Sequence, residues 1–441
     1  MSDHAIKVHE KDPAYGWVMV FAVFLLSALA FGALGSISVF LKPLSSEFGW
    51  SRGETSLGYT VISFSSALFG ILWGYIADRF GTRWFGLIAA FAMSGSLFAL
   101  SQQQSIWQFY GLYFLFGAFG NAMVTSPLFA NVGFWFTHKP GLALGITAAG
   151  GAVGQAVVPY LCALSLEANG WQTTYMLSAA AYLVLALPVA LLIRESPGRE
   201  AARMQGNVSQ QTFVLAEREV IAWISLAIIF CCTCMAVPIV HLVPLLTDAG
   251  RTLDQASTVL MVLMFSGALG RILGGKLGDL IGPLPSYMVM SAGQTLSVLW
   301  FPFLDSTAAI YLIAIVFGFT YSGVMSAILV CTRMMVSANY AARAMSITSF
   351  FGWFGMGAGG FMGGYLFDLT GSYDTSFIAA MVVGCINLGI LTLFALRIRS
   401  ASTVVPSPPC TMKASIRRKR RPKSARATSS SVPLATSASR C

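Results

Sequence analysis

The sequence contains very little charge. Asp, Glu, Lys and Arg account for only 10% of its 441 residues, whereas a soluble domain carries roughly 25%. Hydrophobic residues account for 56% of the chain, and the mean hydropathy is +0.72. A chain of this composition lacks the polar surface that a soluble enzyme needs. We therefore predict an integral membrane protein that is embedded in the lipid bilayer.

The sequence also lacks the patterns that mark catalytic, cofactor and metal sites. No nucleophile–base pair appears, and the glycine runs at 145–154 and 352–364 lie in apolar segments, which excludes a phosphate-binding loop. Cys231, Cys232 and Cys234 have no accompanying cluster of His or Cys, so a metal site is not predicted. Small reduced thiols are the expected state of the cysteines in apolar segments. We predict neither an enzyme nor a cofactor.

The net charge of +10 comes almost entirely from one end of the chain. Nine cations and no acid follow residue 400, which leaves a net charge of +1 for the rest. Binding to nucleic acid would depend on this tail alone, so it is not predicted. Residues 398–441 are rich in Ser, Pro, Ala and Arg, and we expect them to be a disordered basic tail. The tail either touches anionic lipid or stays solvated with no part in transport.

Apolar runs long enough to cross about 30 Å of hydrocarbon as helices recur along the chain. We place twelve of them, at 17–41, 56–77, 85–103, 107–131, 141–164, 173–193, 221–246, 256–277, 286–304, 309–331, 344–366 and 377–397. A polar linker at 194–220 separates the first six from the last six. The predicted domains are an N-terminal segment (1–16), a six-helix bundle (17–193), the linker, a second six-helix bundle (221–397) and the tail (398–441).

The distribution of Lys and Arg predicts the orientation in the membrane. One set of loops holds most of the cations, whereas the opposite set holds only Lys42, Arg52 and Arg251. Because cytoplasmic loops are enriched in Lys and Arg, the first set is cytoplasmic and both termini lie inside. The polar start, residues 1–16, shows no pattern of a removable signal peptide. We predict a multi-pass protein of the inner (cytoplasmic) membrane.

An internal repeat relates the two bundles. The pattern Gly-x-x-x-Asp occurs at Gly74 and Asp78 and again, 201 residues later, at Gly275 and Asp279. The same offset pairs further residues of spans 1 and 7, 2 and 8, 4 and 10, and 5 and 11 without a gap. Two six-span halves related by a parallel repeat are a known transporter plan, with substrate held between them near the midplane. The fold class is therefore an all-α membrane protein with two pseudo-symmetric bundles.

At these residues the sequence resembles a family. Gly74-x-x-x-Asp78-Arg79-x-Gly81-x-Arg83, between spans 2 and 3, is similar to the signature loop of the major facilitator superfamily. Within it, the chain resembles the monocarboxylate transporters and oxalate–formate exchangers. The features that carry this likeness are Phe40-Leu41-Lys42, Gly270-Arg271-x-x-x-Gly275-x-x-x-Asp279 and Phe367-Asp368-Leu369-Thr370-Gly371-Ser372-Tyr373.

The resemblance implies functions for particular residues. Arg271 would bind the carboxylate of a substrate, and Lys42 is implicated in monocarboxylate transport. Tyr321 and Trp353 resemble aromatic cage positions of the exchangers. The sequence departs from the family at Gly267, where related carriers often have aspartate, and it has no Lys or Arg between Ala344 and Leu396, where exchangers carry a lysine. The arginine of drug–proton antiporters would fall near Tyr113 and is absent.

Arg271 is the strongest site candidate on physical grounds as well. An arginine inside a span costs at least roughly 2.5–3.5 kcal/mol on insertion scales. Its guanidinium can bind a carboxylate through two parallel hydrogen bonds. The alternative is a structural arginine that snorkels or pairs with an acid on another span. By the boundaries above, spans 1, 4, 5, 7, 10 and 11 contain no acid.

The other candidates are polar residues in or beside apolar spans. Lys42 is either an entry-side cation for an anion or an exposed interfacial lysine. His241 either takes part in proton coupling or packs with a hydrogen-bond partner. Asn121, Gln155, Tyr321 and Trp353 must find partners inside the bundle, so substrate contact and helix packing both stay open for them.

Four charged residues at the cytoplasmic helix ends are predicted to act in gating: Asp78, Arg79, Arg83 and Asp279. An aspartate can rest against a helix N-terminus and against an arginine of a neighbouring loop. Such contacts would hold the halves together on the inside and release them during alternation. Simple positive-inside anchoring is the alternative for the arginines.

These features together predict a monomeric secondary transporter that works by alternating access. The expected substrate is a small organic anion, most plausibly a monocarboxylate, and protons are the expected coupling ion. Efflux of an amphiphilic compound, or a membrane sensor that has the fold without transport, is the alternative.

Overall fold

The computed structural model describes residues 14–136, 140–196, 215–336 and 338–404. Most of the predicted linker and nearly all of the predicted tail lie outside these residues, as does most of the N-terminal segment. The side chains of Asp78 and Asp279 also lie outside the described part. Within the described ranges the chain is almost wholly helical and contains no strand.

The helices follow the predicted spans closely. Their bounds are α1 (Ala14–Phe48), α2 (Arg52–Phe80), α3 (Phe85–Leu100), α4 (Ile106–Leu115), α5 (Phe129–Trp135), α6 (Pro140–Leu191), α7 (Glu217–Asp248), α8 (Leu253–Ile281), α9 (Pro283–Val298), α10 (Thr307–Met334), α11 (Ala338–Thr370) and α12 (Asp374–Val404). Two π-helical segments, Phe116–Asn121 and Val124–Leu128, join α4 to α5, so these elements form the fourth span together.

Helix α6 contains two predicted spans. Gly170, with φ of 74°, interrupts its helical backbone and separates spans 5 and 6. Seven helices of the described residues are long and apolar enough to cross a membrane, and α6 counts as one of them. Helix α3 is also apolar but is not among the seven, because it has only 16 residues. With the turn at Gly170 and the composite fourth span, the helices provide twelve membrane-crossing segments. We refer to α1–α6 as the N half and to α7–α12 as the C half.

The backbone repeats at the predicted offset. All six glycines with positive φ in the described residues form pairs that are 201 residues apart: Gly49 and Gly250, Gly81 and Gly282, and Gly170 and Gly371. Ser51 and Thr252, which are also 201 residues apart, each cap a helix by accepting a hydrogen bond from the backbone N–H three residues later. The two halves therefore use the same turns and the same helix starts.

The halves meet along two pairs of helices, α2 with α11 and the first part of α6 with α8. Within each half, small residues let helix backbones approach closely. A Cβ at Gly154 would lie 1.8 Å from the carbonyl oxygen of Ala28, so no larger residue fits between α6 and α1. We call the end of the molecule with the turns after α1, α7 and α11 the Arg52 end, and the opposite end the Arg79 end.

Candidate transport site

Arg271 lies well inside α8, ten residues before the helix ends at Ile281. At 1.5 Å per residue this is about 15 Å from the Arg79 end. Its Nη1 donates a hydrogen bond of 2.8 Å to the carbonyl oxygen of Ala148, across the boundary between the halves. Its Nε is buried and has no hydrogen-bond partner among the described residues. No carboxylate of the described residues forms an ion pair with this guanidinium.

Small residues on α8 and α10 place Arg271 beside Tyr321. A Cβ at Gly270 would lie 2.0 Å from the carbonyl oxygen of Phe319, so the two backbones touch at this turn. At Gly267 a Cβ would lie 2.4 Å from the Ser322 hydroxyl oxygen. This close packing explains the departure noted in the sequence, because an aspartate at Gly267 would have to displace Ser322.

Two tyrosine hydroxyls extend the polar surface from Arg271. Tyr321 is buried in α10, and its hydroxyl lies within electrostatic range of the Arg271 guanidinium. Tyr59 is fully buried in α2, and its hydroxyl lies within electrostatic range of that of Tyr321. The Tyr59 hydroxyl has no hydrogen-bond partner among the described residues. Tyr59 of the N half and Arg271 of the C half are therefore both electrostatic neighbours of Tyr321.

An aromatic pair joins the halves near this region. Phe31 of α1 stacks on Trp353 of α11, with ring centroids 5.9 Å apart. Phe31 also packs against Gly151, one turn along α6 from Ala148, the partner of Arg271. We call Arg271, Tyr321, Tyr59, Phe31 and Trp353 the central cluster.

Gln155 and Asn121 differ in their relation to this cluster. Gln155 is buried in α6, seven residues and therefore two turns from Ala148, so it lies on the same helix face. Asn121 is buried in the fourth span and donates a hydrogen bond of 2.9 Å to Ser66 of α2. This bond lies within the N half and favours the packing interpretation of Asn121.

A second polar cluster closes the Arg52 end. Asp248, the last residue of α7, accepts two hydrogen bonds from the guanidinium of Arg52, one of them 2.9 Å from Nη2. The Lys42 ammonium lies 3.0 Å from the same carboxylate. Because Arg52 and Lys42 belong to the N half and Asp248 to the C half, these contacts tie the halves together.

Asp368 adds a second contact at this end. Its carboxylate accepts hydrogen bonds from the backbone N–H of Arg52 at 2.9 Å and of Gly53 at 2.7 Å. These are free donors at the start of α2, where a negative charge is stabilised by the helix dipole. Tyr373 accepts a hydrogen bond of 3.0 Å from Arg52. We call Lys42, Arg52, Asp248, Asp368 and Tyr373 the Arg52 latch.

Lys42 is therefore held by a protein carboxylate in this structure, although 44% of its side chain is exposed. A cavity of about 190 Å³ lies beside it, between α1, α7 and the start of α8, with a mainly apolar lining that includes Pro43, Pro244 and Leu253.

His241 belongs to the neighbourhood of the latch. Its Nε2 donates a hydrogen bond of 2.7 Å to the carbonyl oxygen of Gly360, and its ring lies 5.3 Å from that of Tyr373. Its Nδ1 is buried with no hydrogen-bond partner among the described residues. His241 thus connects α7 to α11 through Nε2, which fits the packing interpretation, while Nδ1 has no hydrogen-bond partner among the described residues.

The predicted gating residues at the Arg79 end are only partly described. Arg79 and Arg83 are exposed, and each guanidinium lies over the ring of the following residue, Phe80 at 5.5 Å and Trp84 at 5.6 Å. The side chains of Asp78 and Asp279 lie outside the described residues, so their pairing with arginine stays a prediction.

The sequence reasoning missed Tyr59 and Phe31, as well as the parts that Arg52, Asp248 and Asp368 play. Two signals were present. Arg52 is one of few cations in its set of loops, and Asp248 is an acid at the same end of the molecule. Tyr59 and Phe31 gave no signal, since aromatic residues in apolar spans usually face lipid or pack in the bundle.

Comparison with known proteins decides the family. The family model of the Major Facilitator Superfamily matches residues 23–360 and 222–434. The chain belongs to this superfamily. It is a multi-pass membrane transporter and not an enzyme, and its fold is the predicted one, with twelve transmembrane helices in two bundles.

Individual relatives support the monocarboxylate branch and leave the substrate open. Monocarboxylate transporter 13 of Rattus norvegicus is 26% identical over 393 residues, covering 87% of this chain and 90% of the relative. The fujikurins efflux protein of Gibberella fujikuroi is 27% identical over 340 residues, covering 73% and 70%. The structure of a bacterial homologue of the human lysosomal transporter Spinster, inward-facing and unoccupied, shares the fold with a TM-score of 0.71 at 17% identity, covering 89% of this chain and 99% of that one.

Proposed function

We propose that this superfamily member is a monomeric secondary transporter of a small organic anion of the monocarboxylate class, and that it works by alternating access with protons as coupling ion. The observation that carries the proposal is the state of Arg271. Its charge has no carboxylate partner among the described residues, and its Nε is an unused donor. A cation within a membrane span without a counter-ion is costly, and a substrate carboxylate would neutralise it.

The surroundings of Arg271 suit a small anion. Tyr321 supplies a hydroxyl beside the guanidinium, and Phe31 and Trp353 supply apolar faces for the rest of the molecule. The cluster takes side chains from α1, α2, α8, α10 and α11, so both halves can touch one bound molecule. A site shared by two halves is what alternating access requires, because their relative motion then exposes the site to one side at a time.

Alternation also needs contacts that break. The Arg52 latch joins the halves through charged groups that water can solvate once they part, and Asp248 and Lys42 are already 28% and 44% exposed. We propose that the Arg52 end faces outward and that the termini are cytoplasmic in an inner membrane, because Lys and Arg are scarce in the loops at this end. Labelling of single cysteines in intact cells tests this orientation.

The decisive test compares Arg271 with a cation of the same helix. Purified Arg271→Ala and Arg271→Lys are assayed for binding of radiolabelled monocarboxylates and for counterflow in proteoliposomes. A hydrogen bond to a charged group contributes roughly 1.5–3 kcal/mol, so Arg271→Ala should weaken binding at least about tenfold. Lysine keeps the charge but loses the planar two-point geometry, so Arg271→Lys should be intermediate.

Lys276→Ala is the matched control, since Lys276 is an exposed cation five residues further along α8. It should bind and transport as the wild type does. Equal affinity of folded Arg271→Ala and wild type would show that Arg271 is structural. Transport of neutral amphiphilic compounds, with no carboxylate bound, would instead support the efflux alternative. Dependence of uptake on an imposed pH gradient tests the proton coupling.

A further inference from the structure

Tyr59 differs from the other buried tyrosines of the N half. Tyr113 and Tyr175 share a hydrogen bond of 2.8 Å between their hydroxyls, and Tyr182 donates one of 2.7 Å to the carbonyl oxygen of Leu29. The Tyr59 hydroxyl is fully buried, yet it has no partner among the described residues. Burying a hydroxyl without a partner is unfavourable, and phenylalanine would fill the same space without that cost. The position of this hydroxyl therefore indicates a group that is supplied from outside the chain.

The surroundings of Tyr59 indicate which group this is. Its hydroxyl lies within electrostatic range of the Tyr321 hydroxyl and of the Cys232 thiol. The Tyr321 hydroxyl in turn lies within electrostatic range of the Arg271 guanidinium. Tyr59 of the N half and Arg271 of the C half are thus both electrostatic neighbours of Tyr321, and each has a donor without a partner among the described residues. A carboxylate has two oxygens and can accept hydrogen bonds from several donors at once.

We propose that the Tyr59 hydroxyl donates a hydrogen bond to the carboxylate that Arg271 binds, so that Tyr59 is a substrate-positioning residue supplied by the N half. This rests on the proposed function, in which Arg271 binds a substrate carboxylate. The inference adds to that function a second donor for the anion, the neutral Tyr59 hydroxyl. This donor would favour ligands that present an oxygen acceptor.

The packing of Tyr59 ties this contact to closure of the Arg52 end. Its ring lies against Gly360 of α11, where an added Cβ would be 3.0 Å from the Tyr59 Cδ1. The next residue, Thr60, donates a hydrogen bond of 2.7 Å to the carbonyl oxygen of Gly357. These contacts hold Tyr59 against the C half, and they are lost if α2 and α11 separate. The donor therefore reaches the substrate only while the Arg52 end is closed.

Tyr59→Phe tests the inference because it removes one oxygen atom and keeps the ring. Binding of radiolabelled lactate, pyruvate and acetate to the purified full-length protein is measured for wild type, Tyr59→Phe, Arg271→Ala and the double variant. We expect Tyr59→Phe to weaken carboxylate binding about tenfold. Its thermal stability in the absence of ligand should equal or exceed that of wild type, because the hydroxyl has no protein partner to lose.

Two further comparisons separate positioning from a structural effect. In the Arg271→Ala background, Tyr59→Phe should add little, because no carboxylate is then held in place. Tyr113→Phe is the matched control, since it also removes a buried hydroxyl of the N half, but one that is bonded to Tyr175. It should lower stability and leave the carboxylate affinity unchanged.

The outcomes distinguish this inference from the proposed function. If Arg271→Ala loses binding while Tyr59→Phe binds as wild type does, the inference is wrong and the proposed function stands. If neither variant loses affinity, or if the wild type binds none of the carboxylates, both are wrong. Full loss of affinity in Tyr113→Phe without unfolding would also overturn the inference, because removal of any buried hydroxyl would then have the same effect.

Discussion

Asp248→Asn should open the Arg52 end of the molecule. In the structure this carboxylate accepts two hydrogen bonds from Arg52 and lies 3.0 Å from the Lys42 ammonium. Asparagine is nearly the same size but neutral, and it offers one acceptor oxygen in place of two. The substitution therefore removes the charge that joins the halves and leaves their packing intact.

The size of the effect follows from the exposure of the partners. Only 14% of the Arg52 side chain is exposed, so its charged hydrogen bonds to Asp248 should contribute roughly 1.5–3 kcal/mol. Lys42 is 44% exposed, and its pair resembles a surface ion pair of roughly 0.2–1 kcal/mol. The two contributions add to about 1.7–4 kcal/mol, and their loss would raise the population of the open state by about 20–900-fold.

Hydrogen–deuterium exchange measures this opening directly. The backbone N–H groups of Arg52 and Gly53 donate to Asp368 across the halves, so they exchange faster when the latch opens. Peptides that cover 50–60 and 360–373 should therefore exchange faster in Asp248→Asn. When reclosing is fast, the exchange rate is proportional to the open population.

Glu219→Gln is the control for this experiment. Glu219 pairs with Arg397 at 2.9 Å, but both residues belong to the C half, so their contact does not join the halves. Its loss should leave exchange at 50–60 unchanged. If Asp248→Asn and Glu219→Gln exchange at the same rate there, the ion pairs at the Arg52 end do not hold the halves together.

Two other variants test the packing and the tail. Gly270→Ala should unfold at a lower temperature or fail to fold, because its Cβ would lie 2.0 Å from the backbone carbonyl oxygen of Phe319. Gly278→Ala is the control and should be tolerated, because the nearest atom to its Cβ would be 3.5 Å away. Equal melting temperatures would mean that α8 and α10 do not pack this closely. Deletion of residues 405–441 should leave the initial rate of uptake unchanged, since no residue of the central cluster or the Arg52 latch is lost. If the folded variant no longer takes up substrate, the basic tail has a function in transport.

Most of the fold followed from local patterns in the sequence. Apolar runs predicted the spans, and the offset of 201 between Gly74 and Gly275 predicted the repeat that recurs in the positive-φ glycines. The turn at Gly170 lies in the short polar stretch between the predicted spans 5 (141–164) and 6 (173–193), so this break also followed from the sequence. The π-helical segments of the fourth span were not predicted, although the second of them contains Pro127, which has no backbone N–H to donate.

The partners of the charged residues could not be predicted in the same way. Arg52 is 196 residues from Asp248, and its backbone N–H is 316 residues from Asp368. Contacts of this length depend on how the two halves pack, which apolar periodicity does not determine. The sequence identified Arg271 because an arginine in an apolar span is costly wherever it packs. It left two interpretations of Lys42 open, because a lysine at the membrane surface has a low free-energy cost with or without a partner.

The Arg52 latch and the Arg271–Ala148 hydrogen bond both join the halves, but only the second leaves a charge that a substrate anion can neutralise. At the Arg52 end, the two carboxylates of Asp248 and Asp368 balance the two cations Arg52 and Lys42, so the contact is electrostatically complete without a ligand. At Arg271 the partner across the halves is the neutral carbonyl of Ala148, which satisfies one N–H and leaves the charge uncompensated. An anion can therefore bind Arg271 without breaking its bond to Ala148. In the proposed site Tyr59 also reaches the anion only while the Arg52 end is closed. The bound anion would then favour the closed state, and release toward the Arg52 end would first require the latch to open.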